Sequence, residues 1–293
     1  MNPFVDGDRR LRNGWWIALF LLVLALLLVP LLLLSRARGF EPNGYHQALI
    51  LAVASVLCQW MRRRPLAELT GNWDRRWLHE FALGAAVGAS LMLVSGLLVL
   101  PLGSVSLAWN PDGPSQLLPG LGIFLGYALT EELLFRGFLF QRLLAGIGRW
   151  PAQGLVAAFF LLTHLGNPGM SGTTRIFASA NIAIASLLLG TAFLRTRSLA
   201  MPLGLHLFAN WMQGTVLGFG VSGLEQGGLF RPEFSSAPTW LTGGSFGLEA
   251  SLPCLVLVIT WTILLSRWNP TPPPVPMAVA TPNPEPAPPA PLP

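Results

Sequence analysis

The chain contains no lysine; all 18 of its basic residues are arginine, and they leave a formal charge of +5 against 13 acidic residues. Charge of either sign is scarce, at 11% of residues, where a soluble domain carries roughly 25%. That shortage excludes an ordinary water-soluble domain. In a soluble protein the basic balance would point to nucleic acid. Here the arginines lie in short stretches between apolar runs, which membrane orientation explains, so no nucleic-acid partner is expected. Cysteine is nearly absent as well. Cys58 and Cys254 both fall in apolar segments and show no metal or redox spacing, so they read as small buried hydrophobes.

Apolar length is abundant. Hydrophobic residues make up 52% of the 293, and several windows approach or exceed the roughly 18 apolar residues of a membrane span. The sequence predicts an all-α, polytopic transmembrane helix bundle of about eight spans, at 15–34, 45–61, 79–100, 117–139, 152–165, 176–194, 199–218 and 250–265. Each must be helical, because lipid cannot satisfy bare backbone groups. Gly84 with Gly88, and Gly122 with Gly126, are small-residue pairs at helical spacing, suited to close packing within the bundle. The domain organisation expected is a cytoplasmic segment at 1–13, a helical domain at 14–268 with a motif core at 117–218, and a Pro-rich, disordered tail at 269–293. The loop 221–249, rich in Gly, Ser and Pro, is expected outside, with nothing in it to suggest chemistry. Arginines cluster on one side (Arg9 to Arg12, Arg62 to Arg64, Arg75, Arg76, Arg142, Arg149, Arg195, Arg197, Arg267) and are few on the other. Both termini are therefore expected in the cytoplasm. Composition without lysine fits a GC-rich bacterial genome, hence the cell (inner) membrane.

Against this background the stretch TEELLFRGF, from Thr130 to Phe138, is anomalous. An ionisable group at mid-membrane costs about 2.5–3.5 kcal/mol on insertion scales. Glu132 and Arg136 are four apart, share a helix face and are expected to pair. Glu131 points about 100° away and has no local partner, which makes it a functional candidate. His46 and His79 sit at predicted span ends, where an amphipathic ring is ordinary. His164 and His206 lie inside apolar runs, and Asn210 follows His206 on the same face. Counted from flanking arginines, Glu131 is roughly 16 Å and His206 roughly 13 Å deep, with His164 fitting less well at roughly 22 Å.

The pattern Glu131-Glu132-x-x-x-Arg136, then Phe160-x-x-x-His164, then His206-x-x-x-Asn210 resembles the three motifs of the CAAX prenyl protease and bacteriocin-processing family of intramembrane proteases. The resemblance covers Glu131 to Asn210; before residue 117 and after residue 218 the chain shows only generic membrane helices. It implies an all-helical bundle with a site inside the membrane, reached from the cytoplasm. It further implies that Glu131 activates water, His164 helps hold that water, His206 and Asn210 steady the oxyanion, and Glu132 and Arg136 support the helix.

The chemistry is consistent with those roles. Peptide hydrolysis needs a base for water and an acid for the leaving amine, plus donors for the new oxyanion. Zinc held by Glu131, His164 and His206 is an alternative, although no HExxH helix occurs and the metal-free glutamate mechanism is preferred, with no cofactor. The expected partners are membrane lipid and a membrane-associated peptide or protein substrate. Two other readings compete: a non-catalytic scaffold or bacteriocin-immunity protein that keeps the pocket, and a transporter using the Glu and His residues as a proton relay. No internal repeat supports transport.

Overall fold

The computed structural model describes residues 4–5, 11–102, 105–225, 227–235 and 238–270. It is an all-α membrane helix bundle with one two-stranded sheet. Four runs among the described residues are long and apolar enough to cross a membrane: Asn13–Arg38, Ala67–Val99, Gly113–Ile147 and Gly172–Thr196. Most of the tail and much of the N-terminal segment lie outside the described residues.

Helix α1 (Asn13–Arg38) buries only Phe20, while Leu26 and Leu33 are largely exposed. Such an apolar surface would be a liability in water and is ordinary against lipid. Helix α2 (Gly44–Met61) opens on a capping box: Asn43 Oδ1 accepts from the His46 N–H, and His46 Nδ1 accepts from the Asn43 N–H. That accounts for His46. Helix α3 (Arg75–Val99) starts at Asp74, whose side chain caps the Trp77 N–H.

Helix α4 (Gly113–Phe135) carries the glutamate pair and ends sooner than the sequence suggested. The expected span 117–139 is broken at Arg136 and Gly137, and α5 (Phe138–Ile147) begins a new helix. Gly137 permits the turn: a Cβ there would lie 2.2 Å from the Leu133 carbonyl oxygen. Glu131 is thus about 6 Å from the end of its helix, not deep within one continuous span. Helices α6 (Arg149–His164), α7 (Gly172–Thr196), α8 (Ala200–Trp211) and α9 (Leu252–Arg267) complete the bundle. His164 is the last residue of α6, which starts at Arg149. Past α8 the expected seventh span continues as a π-helical turn, Met212–Val216.

The central packing unit is α3 against α8. A Cβ on Gly84 or Gly88 would lie 2.1 Å from the carbonyl oxygen of Met201 or Leu205, and one on Gly204 would lie 2.2 Å from that of Phe81. Only residues without side chains allow this approach. On the other flank, Gly44 and Gly126 bring α2 against α4, where the Tyr45 hydroxyl donates to the Gly122 carbonyl at 2.6 Å. Strands β1 (Val105–Trp109) and β2 (Phe230–Phe234) pair antiparallel, with Leu107 opposite Pro232. Cys58 and Cys254 are fully buried and unpaired.

Candidate active site

Arg136 is 0% exposed. Its Nη1 lies 3.3 Å from Glu132 Oε1, so the expected i,i+4 pair forms. Nη2 donates to the Ser186 carbonyl at 3.0 Å and to its hydroxyl at 3.1 Å, tying α4 to α7. The guanidinium also lies 5.1 Å over the Phe160 ring of α6. One arginine at a helix end therefore ties together three helices.

Glu132 does more than balance this charge. Its Oε1 accepts from His206 Nδ1 at 2.8 Å. The other ring nitrogen, Nε2, is 3.7 Å from Glu131 Oε2. His206 is buried and sits between the two carboxylates. A carboxylate paired with arginine only accepts hydrogen bonds, so Nδ1 carries a proton. The adjacent glutamates thus serve opposite sides of one imidazole, a link that the i,i+4 reading of Glu132 with Arg136 does not show.

His164 is oriented by its own helix. Nδ1 is 2.7 Å from the Phe160 carbonyl oxygen, and the two rings are 4.5 Å apart. A carbonyl accepts only, so Nδ1 bears the hydrogen and Nε2 keeps its lone pair. Phe160, the first residue of the second motif, is packed between Arg136 and His164.

Glu131, His164, His206 and Asn210 line one cavity of about 80 Å³, enough for several waters. A neighbouring cavity of about 320 Å³ shares Glu131, His164 and Asn210 and extends past Tyr127, Thr130 and Asn167. Polar side chains from three separate helices therefore meet as the sequence suggested. Among the described residues no three His, Cys, Asp or Glu side chains are grouped to hold a metal ion.

Residues 113–212 match the family model described as type II CAAX prenyl endopeptidase Rce1-like. This stretch is similar to the Rce1-like family. No curated protein and no solved structure matches the chain. The matched segment contains all seven motif residues, Glu131 to Asn210, and nothing after residue 212. Two polar residues outside it also line the first cavity, Ser222 and Glu249. Both belong to the loop in which the sequence showed no chemistry. The available signal was slight: Glu249 is the only charged residue between Glu233 and Arg267.

Proposed function

We propose that the chain is an intramembrane endopeptidase that hydrolyses a peptide bond with glutamate-activated water. The observation that carries this reading is His206 held between Glu132 at 2.8 Å and Glu131 at 3.7 Å, on a cavity shared with His164 and Asn210. The match of residues 113–212 to the Rce1-like family supports the same class.

In this mechanism a water in the cavity gives its proton to Glu131 as its oxygen attacks the scissile carbonyl. His164 Nε2, free to accept, holds that water by a hydrogen bond. The negative oxygen that develops needs donors in place beforehand. The Asn210 amide is one. His206 Nε2–H is the other, which requires the doubly protonated ring because Nδ1–H is committed to Glu132. Glu132 and Glu131 flank that ring at 2.8 and 3.7 Å. Arg136 pairs with Glu132, whose carboxylate in turn fixes the ring.

The protein is read as a multi-pass protein of the cell (inner) membrane with both termini in the cytoplasm, on the arginine distribution. Its substrate is a membrane-associated peptide or protein, which enters through the larger cavity. The test is cleavage by purified protein of an internally quenched peptide panel, prenylated and unprenylated. Glu131→Gln and His164→Ala are each expected to abolish turnover while the protein still inserts and melts normally. Full turnover by Glu131→Gln refutes the role. The same purified protein, washed with chelator, decides the zinc alternative: activity is expected to survive, and stoichiometric zinc lost together with activity would overturn the metal-free mechanism.

A further inference from the structure

Glu249 lies outside the Rce1-like segment, on the short turn Leu248–Ala250, yet it lines the cavity that holds Glu131, His164, His206 and Asn210. Its Oε1 accepts from the Ser222 backbone N–H. The turn is held rigidly. Gly247 has φ +116°, and a Cβ there would lie 1.9 Å from the Gly220 carbonyl oxygen. The Gly223 N–H donates to the Phe246 carbonyl at 2.9 Å, and a Cβ on Gly223 would lie 2.0 Å from the Pro168 carbonyl oxygen. Pro168 is in the turn that follows His164. Two loop segments thus pack against each other and against the turn after α6, which seats Glu249 at the cavity.

We propose that Glu249 is the second carboxyl of the catalytic site, the acid that protonates the leaving amine; this rests on the hydrolytic reading above. An amine departs only with a proton. Glu131 receives one from water, but on the side of the carbonyl from which water attacks. Glu249 enters the cavity from a different element and supplies the nitrogen. Water's oxygen bonds to the carbonyl carbon while its proton passes to Glu131 and the C=O π pair moves onto oxygen. The tetrahedral centre then re-forms C=O, the C–N bond breaks with its electron pair on nitrogen, and the Glu249 O–H proton goes to that nitrogen. The proton on Glu131 returns to Glu249 through cavity water, leaving one carboxylic acid and one amine.

The surroundings favour the protonated form that this step needs. Burial pushes the Glu249 carboxyl up and the nearby Glu131 charge acts the same way, opposed by the hydrogen bond from the Ser222 N–H. Two carboxyls on one enclosed cavity resist ionising together. The other polar groups on that cavity are His164 of α6, His206 and Asn210 of α8, and Asn181 of α7; no arginine lines it.

The experiment has two readouts. The first needs no substrate: the infrared difference between wild type and Glu249→Gln near neutral pH. A protonated-carboxyl C=O band is expected in the wild type, absent in Glu249→Gln and shifted in Glu249→Asp; no such band overturns the proposal. The second compares a quenched, farnesylated C-a-a-X peptide with its aryl-ester counterpart, whose leaving group departs without a proton. Glu249→Gln should lower kcat for the amide about 100-fold, with KM within two-fold and ester hydrolysis nearly intact. It should also remove the alkaline limb of the pH–rate profile, because rising pH deprotonates the required acid. Equal loss on amide and ester, or no loss on either, contradicts the role of Glu249. Activity in Glu131→Gln would instead contradict the hydrolytic reading itself.

Discussion

Arg136 shows how a charge is made tolerable in lipid. It has no exposure, yet it meets Glu132, two oxygens of Ser186 and the face of Phe160. Removing one partner of a buried pair costs about 3–5 kcal/mol, because the other charge is left stranded. Arg136→Ala is therefore expected to lower thermal stability in detergent by that amount, and an unchanged melting curve would show that the pair is dispensable. Glu132→Gln is expected to act differently: the protein persists, but His206 loses its orienting acceptor, and turnover of the quenched peptide panel falls about 10- to 100-fold, the range for losing an outer hydrogen-bond partner. At this scale the sequence was highly informative. The spacings Glu132–Arg136 and His206–Asn210 follow from helix geometry alone. The bond from Glu132 to His206 crosses 74 residues of chain, and no local periodicity reports a contact of that kind. Glu249 was missed for the same reason: a carboxylate in a Gly-rich loop carries no period that would aim it at a cavity.

Among the elements, helix identity was legible because apolar runs in lipid have one backbone solution. Boundaries were less so. The break at Gly137 sits in an apolar stretch, and only the structure shows that a Cβ there would meet the Leu133 carbonyl oxygen, so that the turn requires glycine. The small strands at 105–109 and 230–234 were unreadable, because each is five residues long and pairs across more than 100 positions. The glycine pair at Gly84 and Gly88 was read as packing, and α3 does meet α8 there at backbone contact. Gly88→Leu is expected to force these helices apart at a cost of about 1–3 kcal/mol or more, visible as a lowered melting temperature in detergent. A melting curve equal to wild type would mean that the two helices can separate freely. Since α8 carries His206 and Asn210, the same variant should lose turnover.

For the whole molecule, composition alone identified a membrane protein, and the arginine distribution gave an expected orientation. Lysine is absent and both native cysteines are fully buried, so a single introduced surface cysteine will label cleanly. Arg64→Cys and Arg197→Cys are expected to react only from the cytoplasmic side of sealed vesicles, and Arg38→Cys only from the opposite side; the reverse pattern would invert the topology. The proposed hydrolytic centre, in which Glu131, His164, His206 and Asn210 would act together inside the bilayer, joins these scales. The most direct measurement is the membrane peptidome of cells carrying the wild-type protein against cells carrying Glu131→Gln at equal expression. Cleaved membrane-associated peptides present with the wild type and absent with the variant are the predicted result. Identical peptidomes, with both proteins inserted and equally abundant, would contradict it and leave the pocket to the scaffold or immunity reading.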